Sequence, residues 1–194
     1  IIKDENVVKA LEKYKKHGKK IFILTNSEFH YSKLLLDFAI NPFLKDHTSW
    51  VDLFEMVITF AQKPKFFYDD LKFLKIDPAT GTMTNMEDKL TRGVYQSGNA
   101  KKFTSDLNLE GDDILYIGDH IYGDILRLKK ECNWRTAMIT EELDEEIRQN
   151  KKAEPVIQEI DALMKRKEPL EDELTALMTH KYEKKGEVDE SQID

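Results

Sequence analysis

The 194-residue chain reads as an α/β protein with a parallel sheet, followed by a helical tail. Three observations carry that reading. The short apolar run Ile21–Leu24, without polar alternation, has the length and pattern of a strand buried on both faces, and Ile114–Ile117 reads as the clearest strand, also buried. Segments with helical spacing lie between those runs, the alternation expected of strand–helix–strand units. After residue 140 the composition shifts to charged residues with Leu and Ile at helical spacing.

The first helix is expected over 4–17. Asp4 suits its N-cap, Val7, Val8, Leu11 and Tyr14 form one face, and Gly18 ends it. The strand at 21–24 stops at Thr25-Asn26-Ser27, and a helix runs on through Leu34, Leu35 and Phe38 to Ala39, where Asn41-Pro42 breaks it. Met56–Thr59 is the second strand, followed by Lys63-Pro64, where the proline biases Lys63 toward an extended backbone. Turn formers and β-favouring residues over 77–98 suggest a hairpin-like excursion. A helix over 99–107 precedes the strand 114–117, which runs directly into Gly118-Asp119. A helix over 124–131 and a strand over 135–140 complete a first domain at 1–140.

Leu143, Ile147, Val156, Ile160, Leu163, Leu170, Leu174 and Leu177 then imply two or three amphipathic helices over 141–180, with breaks at Pro155 and Pro169. Their spacing is not a sustained heptad, so packing on the core or a role in a homo-oligomer is expected before a long coiled coil. Residues 181–194 have the composition of a disordered end.

Bulk composition narrows the partners. A net charge of −7 and a pI near 5.4 disfavour binding to nucleic-acid polymers. A small phosphorylated ligand remains open to such a chain where a metal ion and local N–H groups supply positive charge. No apolar run approaches the roughly 18 residues of a membrane span. Cys132 is the one cysteine, which fits a reducing cytoplasmic setting and the role of a small buried hydrophobe. The chain opens Ile1-Ile2-Lys3-Asp4, neither Met nor a signal peptide, and reads as the interior of a longer sequence.

Three strand ends carry chemically capable groups, and in parallel sheets ligands bind at those ends. Asp119 and Asp124 in Gly-Asp-x4-Asp offer hard oxygen ligands suited to Mg²⁺; the plainer alternative makes Asp124 a helix cap. Thr25, Asn26 and Ser27 place hydroxyls, an amide and N–H groups where a strand gives way to a helix, a setting for phosphoryl oxygens or for an ordinary N-cap. Lys63 could bring a point charge to a phosphate. His30 and His120 are expected in supporting roles, and Trp134 and Phe66-Phe67-Tyr68 in core packing.

The order of a hydroxyl at a strand end, a lysine, then Gly-Asp-x4-Asp resembles motifs II to IV of the haloacid dehalogenase superfamily. Ile21–Ser27, Lys63–Phe67, Val94–Gly98 and above all Ile114–Leu126, continuing to Trp134-Arg135-Thr136, resemble the cytosolic purine 5′-nucleotidases that prefer IMP and GMP. The resemblance covers roughly residues 1–145. It implies a Rossmann-like core and Mg²⁺-dependent hydrolysis of purine nucleoside 5′-monophosphates through an aspartyl-phosphate. Thr25 and Asn26, assisted by Ser27, would hold phosphoryl oxygens. Lys63 would stabilise phosphoryl charge, Asp119 would ligate the metal, and Asp124 would bind the metal or its waters. The family's first motif, Asp-x-Asp-x-Thr, and its cap domain have no counterpart here. The nucleophile would therefore come from a missing N-terminal segment of the same protein. That strand belongs mid-sheet, so two sheet parts with open edges are expected. Two alternatives are a non-catalytic phosphate-, metal- or partner-binding relative, and a phosphatase of the same superfamily acting on another phosphomonoester.

Overall fold

The computed structural model describes residues 2–183 and divides into two compact units, 1–139 and 140–194. Unit one holds α1 (Glu5–Lys16), β1 (Phe22–Leu24), α2 (Phe29–Ala39), α3 (Trp50–Leu53), β2 (Met56–Thr59), β3 (Leu74–Ile76), β4 (Met83–Asn85), β5 (Gly93–Gln96), α4 (Ala100–Leu107), β6 (Leu115–Gly118), α5 (Arg127–Cys132) and β7 (Arg135–Met138). It is a mixed α/β unit. One five-stranded sheet has the order β1-β2-β5-β3-β4, and β6 pairs only with β7 in a second sheet.

Strands β1, β2 and β5 run parallel, with Leu24 opposite Ile58 and Ile58 opposite Tyr95. All four residues of β2 are buried, which explains its unbroken apolar run. The expected hairpin is present but shifted. It is formed by β3 and β4, antiparallel, whereas Val94 and Tyr95 belong to β5 in the main sheet. The sequence signal missed β3 because its Leu-Lys-Ile is too short to show a period.

Asp4 caps α1 by accepting from the Asn6 N–H at 2.8 Å. The buried face of α1 differs from expectation: Val7 and Tyr14 are exposed, and Val8 and Glu12 are buried. The Glu12 carboxylate accepts from the N–H groups of Lys45 (3.1 Å) and Asp46 (2.8 Å) and contacts His47 Nδ1 at 3.1 Å. A complete set of donors is what lets a carboxylate take a core position.

The two sheets share one core although no backbone ladder joins them. Phe22 on β1 packs against Tyr116 (6.4 Å between ring centroids) and Trp134 (6.2 Å), and Phe67 touches the same two rings. Leu24, Ile58, Tyr95, Phe103, Ile114 and Leu128 fill in around them. Among the described residues, β1 has no partner beyond its edge away from β2, and β6 has none beyond its edge away from β7. The expectation that the 114–117 strand is buried holds for one face only: Leu115 and Ile117 are 51% and 55% exposed. Tyr116 faces the core and its neighbours face a side that no described element covers.

In unit two, a single helix α6 spans Leu143–Glu183. The expected breaks at Pro155 and Pro169 do not occur. Each proline removes one N–H from the ladder, yet the intervening Lys, Glu, Leu, Ala and Met residues favour helix strongly enough to carry it through. Lys181–Glu183 are helical; the remainder of the segment expected to be disordered lies outside the described residues.

Candidate active site

The carboxyl ends of β1, β2 and β6 open into one cleft of about 510 Å³, lined by Thr25, Asn26, Ser27, Lys63, Asp119, His120 and Asp124, with Tyr122 and Arg127 at its rim. Every candidate site residue from the sequence thus borders the same space.

Thr25 follows β1 and donates its N–H to Ile58 O at 2.9 Å, which ties it to β2. Its hydroxyl oxygen accepts from Ser27 N–H at 3.1 Å, closing a small turn. Ser27 is not the N-cap of α2. The cap position falls on Glu28, which makes no capping hydrogen bond, so the plain capping alternative fails for this segment. After β2 the chain is strapped back by Phe60 N–H to Ser27 O (2.8 Å) and Ala61 N–H to Thr25 O (2.9 Å). Phe60 and Gln62 take φ of 45° and 56°, a costly conformation for non-glycine residues that these straps impose.

That turn delivers Lys63. Asn26 grips its backbone at both ends: Lys63 N–H donates to Asn26 Oδ1 at 2.6 Å, and Asn26 Nδ2 donates to Lys63 O at 3.0 Å. The Asn26 amide is thereby occupied in holding the lysine loop. The Lys63 ammonium donates to Asp124 Oδ1 and to the Tyr116 hydroxyl, both at 2.7 Å. The two side chains are only 13% and 6% exposed, so this ion pair is largely shielded from water.

Asp124 is placed by a π-helical turn, Ile121–Leu126, which starts earlier than the α-helix expected from the sequence and bulges over the strand end. Tyr116 O–H donates to its Oδ1 at 3.1 Å, and His120 N–H approaches its Oδ2 at 3.3 Å. Burial raises its pKa, but the Lys63 bond and charge, the His120 N–H and the Tyr116 hydroxyl outweigh burial and hold it below the usual carboxylate range. Burial and the Asp124 charge push the Tyr116 phenol far above its ordinary value, so it stays a donor. Gly118 makes the approach possible, since a Cβ there would lie 2.5 Å from Asp124 Cβ. His120 accepts from Gly123 N–H at 3.0 Å through Nδ1, the supporting role expected of it.

Asp119 is exposed in the cleft. Among the described residues no group of three or more His, Cys, Asp or Glu side chains is placed to hold a metal ion. Asp119 and Asp124 bring two carboxylates to the cleft, the kind of hard oxygen donor that Mg²⁺ takes one or two of before completing its shell with water and phosphate oxygens. The donor chemistry therefore fits that ion.

Tyr116 and Gly118 are site residues that motif reasoning left unassigned. A tyrosine within an otherwise aliphatic buried strand was the available signal, because a buried hydroxyl requires a partner. Of the aromatic residues expected in the core, Phe66, Phe67 and Trp134 are buried, but Tyr68 is 50% exposed.

Three strand ends of this α/β unit thus place a hydroxyl, a lysine and two carboxylates around one cleft. The sequence model of the 5′ nucleotidase family matches residues 1–194, and the chain belongs to that family. It is 32% identical over 143 residues to a 5′-nucleotidase domain-containing protein of Dictyostelium discoideum, covering 71% of this chain and 24% of that protein. It is 33% identical over 150 residues to human 5′-nucleotidase domain-containing protein 2, covering 76% of this chain and 28% of that protein. The rat protein of the same name is also 33% identical over 150 residues, with 26% of it covered. The chain thus spans about a quarter of the length of these relatives. No described helix is long and apolar enough to cross a membrane.

Proposed function

We propose that this chain forms the metal- and phosphate-binding side of a cytosolic, haloacid dehalogenase-type phosphatase that hydrolyses purine nucleoside 5′-monophosphates such as IMP and GMP. The observation that carries the reading is the convergence of Thr25, Ser27, Lys63, Asp119 and Asp124 from three strand ends on one cleft. Family membership favours a nucleoside monophosphate as substrate.

Each residue has a defined task in this reading. Thr25 and Ser27, with the N–H groups of the turn, would hydrogen-bond phosphoryl oxygens. Asn26 would act mainly by fixing Lys63, whose ammonium offsets phosphoryl charge. Asp119 would ligate Mg²⁺, and Asp124, with its oxygens engaged by Lys63, Tyr116 and His120, would orient the lysine and metal-bound waters. The ion would neutralise charge on the phosphate group. The nucleophilic aspartate and the surface that reads the base would come from a segment outside this chain. Among the described residues β1 and β6 each have an unpaired edge, which such a strand would be able to join.

The test uses the complete protein. Phosphate release from IMP and GMP is expected to require Mg²⁺ and to fall to background in Asp119→Asn with the circular dichroism spectrum unchanged. An Asp119→Asn protein with full activity would refute the assignment. Binding of IMP without any release would instead support a non-catalytic relative, and a preference for another phosphomonoester would redirect the substrate.

A further inference from the structure

The continuity of α6 puts apolar residues of unit two into a repeat that two proline breaks would have interrupted. Ala153, Ile160 and Leu174 recur every seven or fourteen residues, with Lys167 filling the remaining turn. Val156, Leu163, Leu170 and Leu177 recur every seven residues and alternate with them in steps of three and four. These are the a and d positions of a heptad from 153 to 177, which corrects the expectation that the tail's spacing sustains none; among the apolar residues that marked the tail as helical, Leu143 and Ile147 alone fall outside its register. Val156, Ile160, Leu163 and Leu170 are 57%, 51%, 53% and 64% exposed, and no residue of α6 is buried. Pro155 and Pro169 both fall on the outer face, away from the repeat. A stripe of this kind spans about 36 Å at the helical rise per residue.

Charge decides what fits it. A parallel copy would set Lys167 against its own counterpart in the centre of the seam, a like-charge contact away from water. An antiparallel copy removes that clash. With the two-fold axis between 161 and 162, Ile160 faces the copy's Leu163, and the Lys167 stem faces Val156 while its ammonium keeps the Glu171 contact at 2.8 Å. On one flank Glu159 then meets Arg166, and Lys152 meets Glu173; on the other, Ile157 meets Met164. Shifting the copies by one further heptad would instead oppose Arg166 to Arg166 and Glu159 to Glu173. The first register pairs the seam over 153–170 and leaves Leu174 and Leu177 opposite Gln149 and Glu146, but of the two it is the one that also sets unlike charges against each other on the flank.

We propose that α6 is a self-association element that pairs with a second copy of this chain as an antiparallel two-helix coiled coil in that register. Sedimentation equilibrium on the 194-residue chain is expected to give about 45 kDa, twice the 22.7 kDa chain mass. Leu163→Glu is expected to return it to 22.7 kDa. Arg166→Glu, on the exposed flank, is expected to weaken the dimer about tenfold, and Glu159→Arg combined with it to restore the original affinity. In a parallel pair Arg166 would face Glu171, so the double variant would stay weak. A chain that remains monomeric at 100 μM and about 0.1 M salt, whether because the stripe is covered by another segment or is simply solvated, overturns the proposal. So does a dimer that survives Leu163→Glu or that the charge exchange fails to restore.

Discussion

Replacing Lys63 by Met should expose how the cleft is held together. The ammonium lies 2.7 Å from Asp124 Oδ1. At that distance, and an effective dielectric constant of about 20, the attraction is roughly 6 kcal/mol before desolvation is subtracted. Desolvation cancels part of it in the wild-type pair, but removing one partner leaves the other buried and ionised. Truncations of that kind cost about 3–5 kcal/mol. Asp124 is 4% exposed, and the Tyr116 hydroxyl and the His120 N–H would be its remaining donors. The loss must also depend on pH. Because the folded-state pKa of Asp124 is depressed, its contribution is present above the unfolded value of about 3.9 and disappears as pH falls through the folded value. In Lys63→Met, burial without the ammonium favours the neutral acid, so acidification relieves the defect. Urea unfolding followed by tryptophan fluorescence should therefore show a difference of about 3–5 kcal/mol at pH 7 that narrows as pH falls from 7 to about 4 and continues to narrow below it. A difference that is constant between those pH values, or under about 1 kcal/mol at pH 7, would refute the view that this ion pair anchors the site.

Gly118→Ala should destabilise unit one by about 1–3 kcal/mol and flatten the same pH dependence, because its Cβ would meet Asp124 Oδ2 at 2.7 Å and push the carboxylate off Lys63; urea midpoints at pH 4 and 7 check this. Glu12→Ala should cost about 1–3 kcal/mol at pH 7 by removing the buried acceptor that the part-buried N–H groups of Lys45 and Asp46 and the His47 ring share. Burial raises the Glu12 pKa, but its three donors lower it further, so that cost should shrink as pH falls through the folded value. Cys132, its thiol pushed up to about 11 by burial and the Glu131 charge, should react with a disulfide reagent at pH 8 far more slowly in the native chain than in urea. Equal rates would contradict its packing role.

The legible parts of this protein were those fixed by local pattern. Apolar runs ending in polar groups located β1, β2 and β6, and the helix before them announced its own cap at Asp4. The candidate cleft residues followed from where those runs stop. What escaped notice depends on contacts between distant segments. The bidentate hold of Asn26 on Lys63 joins residues 37 apart, and an asparagine beside a strand end looks identical whether it binds a ligand or a loop. The burial of Glu12 has no local signal, because its partners lie 33 to 35 residues away. In α6 the error ran the other way. Proline is a strong local signal, and in a helix 41 residues long the surrounding turns outweighed it twice.

Lys63 follows β2 of the first sheet and Asp124 follows β6 of the second, so their ion pair crosses between two sheets that no backbone ladder joins among the described residues. Tyr116 reinforces that crossing, with its hydroxyl 3.4 Å from the Leu24 carbonyl on β1. The same two charges that close the seam are those the proposed reaction needs. A phosphoryl group beside Lys63 would compete with Asp124 for the ammonium, and a cation beside Asp119 would draw on the Asp124 carboxylate. Anion and cation together would then replace, across the seam, the attraction each one weakens alone. On this reasoning, phosphate and Mg²⁺ added together should stabilise the chain against urea by more than the sum of their separate effects. Strict additivity would mean that the seam and the ligand site are energetically independent.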